Sequence, residues 1–378
     1  SGEADTSSFN QERLKTEFII RTTVGKVSGS DFKPEFGLEV ANNKLDTELV
    51  YMSNGIEQPL SNGNVVVEEL RGEAFATLSY KANPALSLEG GLTAEFSQIK
   101  VSGDANQKKT FQFIKPRLSS TYTVNKDTRL ILEAVHTVGQ LNFNDFAASS
   151  QAEDDRTTSG NPNLEPMKKS RLAATYDWSF SQRGNVKIVA FTELREDILE
   201  HIILPSGGAG WGNAGDARFS GIFTDLSLPL DPLLPEGLIE ISYKYRHSRF
   251  DDPMINDNRT ISTYAPRSLT SKFRQDVTKY KFSWGLEYWG SYKDTGHLAD
   301  EIHTLEGNKR IRLFVETSRF PGIKSSVKTR LEITHLNTGN YLRKRFFYEG
   351  NRGGAFEGSQ IADRKRRPEL KLTFTGTF

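Results

Sequence analysis

RGEAFATLSYKANPALSLEGGLTAEFSQI, residues 71 to 99, alternates in side-chain character on both sides of a turn. Ala74, Ala76, Leu78 and Tyr80 fall on one face of an extended chain; after KANPA (81–85), Leu86, Leu88, Leu92, Ala94 and Phe96 resume that face. Glu73, Thr77, Ser79, Glu89, Thr93 and Glu95 take the other. Alternate side chains of a strand point to opposite faces, so the stretch reads as a long antiparallel hairpin with one apolar and one polar face. RLAATYDWSFSQRGNVKIVAFTEL (171–194) repeats the pattern with Leu172, Ala174, Tyr176, Trp178 and Phe180, then Val186, Ile188, Ala190 and Leu194. SLTSKFRQDVTKYKFSWGLEYWGSY (268–292) does so with Phe282, Trp284, Leu286, Tyr288 and Tyr292.

Period-2 segments recur from end to end without a convincing amphipathic helix, which makes the chain all-β. Many run about 12 to 16 residues, against roughly 5–6 for strands of globular proteins and about 9–11 for a tilted bilayer crossing. Short connections fall at 42–43, 81–85, 125–127, 181–184, 231–237, 277–279 and 319–322, and longer polar ones at 53–64, 103–109, 141–165, 199–215, 249–267 and 293–304. Strict alternation gathers all short turns at one end of a sheet, as in a transmembrane up-and-down antiparallel β-barrel. The count is about sixteen strands in one barrel domain over 1–378, an even number that puts both chain ends on the short-turn side. Closure by pairing the last strand with the first abolishes the edges.

Composition agrees with this reading. Lys plus Arg number 49 and Asp plus Glu 48, so a nucleic-acid partner lacks the basic excess it needs. There is no cysteine, hence no disulfide framework and no thiolate metal site. No run of about 18 apolar residues exists to form a spanning helix. Hydrophobic residues are only 36%, but a barrel needs apolar side chains on its lipid face alone. Tyr80, Trp178, Phe180, Trp284, Tyr288, Trp289 and Tyr292 sit near strand ends, where rings favour the headgroup level. The chain finishes ELKLTFTGTF (369–378), with Leu370, Leu372, Phe374 and Phe378 on one stripe that only lipid or a packed core would cover.

Chemistry-bearing patterns are sparse. His136, His201, His247, His297, His303 and His335 form no HxxxH or HExxH pair, and His297 and His303 share a loop with Asp294, Asp300 and Glu301 that reads as solvated polarity. No metal site, cofactor or catalytic arrangement is expected, so the chain is read as a non-enzyme. The Gly-rich PSGGAGWGNAGDAR (205–218) joins two strands as an outer loop in which Trp211 is a ligand-stacking candidate, with Phe143 and Phe146 as companions. AEDD (152–155) and DRKRRPE (363–369) read as rim charge. Glu73, Glu89, Glu95, Arg129, Glu133, Arg310, Arg312 and Glu316 mix both signs on the inward face, as a water-filled lumen requires.

GNPNLEPMKKSRLAATYDWSF (160–180) resembles the Gly-Asn-Pro-Asn-Leu-x-Pro segment that opens a descending strand in TonB-dependent outer-membrane receptors. KPRLSSTYTVNKDTRLILEAVHTVGQLNFNDFA (115–147) is similar to the hairpin before it. EITHLNTGNYLRKRFF (332–347) stands where that family has an Asn-Leu turn, here His335-Leu336-Asn337, and the terminal Phe378 stripe resembles the signal read by the barrel assembly machinery. The resemblance implies an outer-membrane barrel taking up a scarce large solute, such as a ferric siderophore or another small-molecule or metal-chelate ligand. It also implies a plug domain, a TonB-contacting box and about twenty-two strands. This chain shows no plug-like segment, so TonB would act only through a plug absent here, and the barrel is part of a 22-stranded one or a shortened relative. The rival readings are an unplugged sixteen-stranded passive pore, a surface adhesin or structural barrel, and a soluble β-sandwich.

Overall fold

The computed structural model describes residues 7–26, 31–58, 62–151, 156–231, 233–262, 264–318, 327–337 and 339–376. Phe378 and the 319–322 turn therefore lie outside the described residues, as does AEDD.

The main sheet has 17 strands, all paired antiparallel; Ile56–Glu57 and Asp257–Arg259 are short loop additions, which leaves fifteen long crossings among the described residues. The deciding hairpin forms with the expected faces, and its register sets Ala74 opposite Ala94, Tyr80 opposite Leu88 and Glu73 opposite Glu95. Accessible surface totals 22534 Å², against about 15,000 Å² for a compact monomer of 42.5 kDa. The excess arises because the sheet is a wall, with large apolar side chains left on one face: Leu14 is 66% exposed, Phe18 64%, Leu132 61% and Leu172 60%.

The other face is charged and internally paired. Lys115 Nζ lies 2.7 Å from Glu73 and 2.6 Å from Glu95. Glu39 sits between Arg21 and Arg71, each at 3.1 Å, and Glu193 between Arg171 and Arg195. Phe75, Phe191 and Phe314 each face a glycine in register, Gly37, Gly221 and Gly285. A Cβ at Gly37 would come within 2.1 Å of the Phe75 ring, so the missing side chain lets the ring lie flat on the strand. Arg21, Arg171 and Arg330 stack on these rings at 4.4, 4.0 and 4.0 Å. The repeated unit holds guanidinium groups at fixed heights on the wall.

One expected turn is corrected. Asn42 and Asn43 lie inside the single strand Phe32–Ser53, where they pair with Phe18 and Glu17 on one side and Leu70 and Glu69 on the other. An Asn-Asn pair signals a turn only where the strand stops, and here the apolar residues change face instead, from the exposed Leu38 and Val40 to the buried Ala41, Leu45 and Leu49, while the strand runs on. The number of crossings is consequently odd. Ser7–Gly25 starts at the long-loop end, with Ser7 opposite Ser53, while Glu369–Gly376 finishes at the short-turn end. First and last strands thus run in the same direction. Among the described residues the expected pairing between them is not formed, and each pairs on one side only, with Phe32–Ser53 and Val327–Thr334 respectively.

Four crossings break and resume as a separate four-stranded sheet at the long-loop end: Tyr292–His297, Glu301–Gly307, Asn340–Tyr348 and Phe356–Lys365. At one break His335 has a positive φ of 55°, and the Asn337 side chain accepts a hydrogen bond from the Ile311 backbone at 2.9 Å. The His-Leu-Asn triplet is thus a hinge tied to the neighbouring strand.

Candidate functional site

The long-loop end carries three assemblies, all built on the charged face. The first is the connection between Thr128–Val138 and Lys168–Ser179. On the wall beneath it, charged positions give way to Leu45, Val65, Val67, Ile99 and Val101, and Phe146, Ala147 and Leu164 of the connection pack on them. The Gly-Asn-Pro-Asn-Leu motif closes this loop. Asn62 donates to the Gly160 carbonyl at 2.8 Å, Asn161 donates to the Trp211 carbonyl at 2.9 Å, and the Asn161 carboxamide oxygen accepts from the Asn163 backbone at 2.9 Å. Gly160 is required by close approach, since a Cβ there would lie 2.2 Å from the Phe146 carbonyl oxygen. Burial pushes the Asp145 carboxyl up to about 6.

Of the ligand candidates, Phe146 is 1% exposed and serves as the loop's anchor, with the half-buried Phe143 edge-on at 6.1 Å. Trp211 is also half-buried, its ring edge-on to the buried His201 at 5.7 Å. The structure joins all three, because Asn161 and the reciprocal bonds between Asn213 and Glu165, both 2.9 Å, lash the Trp211 hairpin to the same loop. Leu370, Leu372 and Phe374 share the apolar face and are 68%, 51% and 51% exposed.

The second assembly is a buried ionic clasp. Asp252 lies 2.6 Å from Arg352 and 2.5 Å from Arg259, and Arg259 reaches Glu200 at 2.9 Å. Ser262 donates backbone and hydroxyl hydrogens to Glu200 at 2.9 and 2.5 Å, and His201 Nδ1 accepts from the Ala299 backbone at 3.2 Å. Glu301, fully buried, takes a two-pronged bond from Arg345 at 2.8 and 2.7 Å. The clasp joins segments that are far apart in sequence. His297 within it is held neutral, down to about 3, by burial first and then by Arg259 and Arg352. Among the described residues no group of three His, Cys, Asp or Glu side chains is arranged to hold a metal ion.

The third is a basic and aromatic junction where the wall meets the four-stranded sheet. Arg310 and Arg312 lie over Trp289 at 3.9 and 5.0 Å, Arg366 over Tyr341 at 5.4 Å, and Tyr292 covers Gly307. Arg312 is paired with Glu287 at 3.1 Å. Arg310 has no ion pair or hydrogen bond among the described residues, and its buried Nε is without a partner. Sequence reasoning placed Arg310 and Arg312 on the inward face but did not separate the paired guanidinium from the free one, which depends on register. A half-buried cation stacked on indole and left unneutralised attracts an anionic group that can lie against the rings.

Residues 4–319 match the family model for a TonB dependent receptor-like β-barrel. No curated protein matches the chain. Among solved structures, the ferric yersiniabactin uptake receptor of Yersinia pestis is 12% identical with a TM-score of 0.63, over 98% of this chain and 56% of that one. The copper transporter OprC is 14% identical at a TM-score of 0.66, over 96% and 57%. The pyoverdine-bound FpvA of P. aeruginosa is 11% identical at 0.64, over 97% and 48%. The chain thus spans about half the length of the structures it matches, and at these identities the likeness shows a shared barrel fold.

Proposed function

The chain belongs to the TonB-dependent receptor-like β-barrel family, and from that premise we propose that it forms the wall and ligand-recognising mouth of an outer-membrane receptor. The cargo is a scarce, large solute, either a ferric siderophore or another metal chelate. The apolar face meets lipid, the charged face lines the lumen, and the long-loop end faces outward. Leu370, Leu372 and Phe374, with Phe378, serve as the assembly signal. Energy from TonB reaches such a barrel through a plug, and none of the described residues forms one.

The observation that carries this reading is Arg310 on Trp289, without an ion pair or hydrogen bond among the described residues and beside Arg366 and Tyr341, at the rim of a wall where many inward charges are paired. Within the mouth, Phe143 and Trp211 remain the aromatic candidates on neighbouring loops, while buried Phe146 holds their shared support in place. The test is uptake of radiolabelled ferric chelates by cells carrying or lacking the full-length protein, with and without TonB. Loss of uptake in both deletions supports the reading; TonB-independent flux with steady conductance in a planar bilayer would replace it with a passive pore.

A further inference from the structure

The unpaired Arg310 on Trp289 has a counterpart on the same inner face. In strand Gly237–Asp252, Lys244 lies over the Phe223 ring at 5.7 Å and Arg246 over the Tyr264 ring at 5.6 Å. Tyr264 is edge-on to Phe219 at 5.2 Å with its hydroxyl against that of Ser248, and Phe223 packs on Phe191 at 5.0 Å, so both rings are fixed. Among the described residues neither Lys244 nor Arg246 makes an ion pair or a side-chain hydrogen bond, and the buried Nε of Arg246 is without a partner. The stacked arginines further along the wall differ, since Arg171 and Arg195 share Glu193 at 2.6 and 2.5 Å.

Register joins this group to the junction. Ser242, two residues from Lys244, is opposite Thr270; Thr270 is opposite Trp289, and Trp289 opposite Arg310. Ser268, opposite Lys244, adds a hydroxyl beside Thr270. Adjacent strands are about 4.8 Å apart, so two to three spacings set Lys244 roughly 10–15 Å from Trp289 and Arg310. Nearer the short-turn end the next charges are closed: Lys272 reaches Glu240 at 3.4 Å, and Glu287 takes Arg312 at 3.1 Å and Arg330 at 3.2 Å. Asp225 is the acid of the row itself, beside Ser242, and Lys187 stands opposite it. The wall therefore carries two ring-and-cation stations with hydroxyls between them, above a ladder of ion pairs. Each station offers a ring face and unused N–H donors, which suits a flat ring bearing an oxyanion better than an aliphatic acid.

We infer that the two stations bind one ligand at two points, with one aromatic oxyanion arm at Lys244 and Arg246, a second at Arg310 and Arg366, and the tether over Ser242, Ser268 and Thr270. This deepens the proposed function and rests on its placing of the charged face toward the lumen; the cargo class it names is a chelate with at least two such arms. The test is calorimetric titration of the full-length protein in detergent, without iron or TonB. The probes are benzoate, two benzoates joined by an ethylene-glycol tether matched to the span, and the same tether ended by cyclohexanecarboxylates. Benzoate should bind at two equivalents per protein. The tethered pair should bind at one equivalent and at least tenfold more tightly, because its second arm is held at high effective concentration. The cyclohexane analogue should lose that advantage.

Lys244→Gln with Arg246→Gln should leave one benzoate equivalent and remove the tethered advantage, and Arg310→Gln with Arg366→Gln should do the same. The surviving equivalent shows that each variant is folded. Should the first glutamine pair lose both equivalents, Lys244→Arg with Arg246→Lys keeps the charges and should keep the tethered advantage. Lys272→Gln, in the ladder below, should change neither ligand. A tethered pair no tighter than benzoate, an advantage that survives either glutamine pair, an equally tight cyclohexane analogue, or no binding because a plug covers these side chains would each overturn the assignment. Loss of TonB-dependent chelate uptake with two-point binding intact would remove the receptor reading and leave this site standing; uptake without two-point binding would do the reverse.

Discussion

The two loop assemblies at the long-loop end are held by opposite physics. The connection carrying Phe146 and Leu164 is fixed by apolar burial on Leu45, Val65 and Val101, and its half-buried carboxyl, Asp145, has no cation against it among the described residues. The clasp of Asp252, Arg259, Glu200 and Arg352 is fixed by ion pairs among side chains at most 8% exposed. Apolar packing tolerates small errors of geometry, whereas a buried ion pair costs much to desolvate and holds only while every member is present. The first assembly is therefore a graded support and the second an all-or-none one. The wall shows why both are needed. Many of its own charges are satisfied strand to strand, as Lys115 is by Glu73 and Glu95, so loops lying on it there bring apolar side chains or their own counter-ions.

The largest expected effect breaks the clasp. Asp252→Ala leaves Arg259 and Arg352 buried without their shared carboxylate, and loss of one partner of a buried pair costs about 3–5 kcal/mol. Hydrogen exchange should show 253–262 and 349–355 opening together while 139–151 stays protected; opening of only one segment would show that the clasp is not a unit. Next comes Leu164→Ala, which removes a side chain 1% exposed and should cost about 2–4 kcal/mol as a cavity. It should raise proteolysis of the 139–167 loop in proportion and leave the clasp protected. A smaller effect is expected from Asn161→Ala, about 1–2 kcal/mol, because the Trp211 carbonyl loses its donor while the apolar anchor survives. Exchange of the Trp211 hairpin should then rise more than that of Phe146; the reverse order would place the Asn motif in the anchor and not in the lashing.

How far the sequence carries can be judged on the same two regions. Strand alternation was legible because its period is local, and the 71–99 hairpin forms with its apolar and charged residues on the faces the pattern requires. The Gly-Asn-Pro-Asn motif was legible as a family resemblance, while its mechanics, a glycine touching Phe146 and an asparagine reaching Trp211, needed coordinates. Asn42-Asn43 misled because the apolar residues change face there, from Val40 to Ala41 and Leu45, which ends the exposed alternation without a turn, and one false turn changed the direction of the first strand relative to the last. Phe146 misled because an aromatic in a polar loop suits a ligand or an anchor equally well. The clasp was not legible at all: Asp252 and Arg352 are brought together by folding of the whole wall, and a single opposite charge among many carries no pattern. The free Arg310 was missed for the same reason, since being unpaired is a property of the neighbours.

Acidity should move the two assemblies in opposite directions, which is the finest test of the contrast. Asp145 has its carboxyl raised from the ordinary 3.8 to about 6, so folding favours its protonated form. Its contribution is most favourable below pH 4 and is lost as pH rises through 6; on the order of tenfold more loop opening is expected from pH 4 to 7, after discounting for partial exposure. His297 is depressed from 6.5 to about 3, so folding favours its neutral form. The clasp is then fully stable above pH 6.5 and weakens as pH falls below it. Exchange rates of 139–151 and 292–303, each corrected for intrinsic pH dependence, should cross between pH 4 and 7. Asp145→Asn should flatten the first profile alone, with greater protection of the loop at pH 7. Parallel profiles in the wild type would show that one mechanism governs both assemblies and that the contrast between packing and pairing is not what sets their stability.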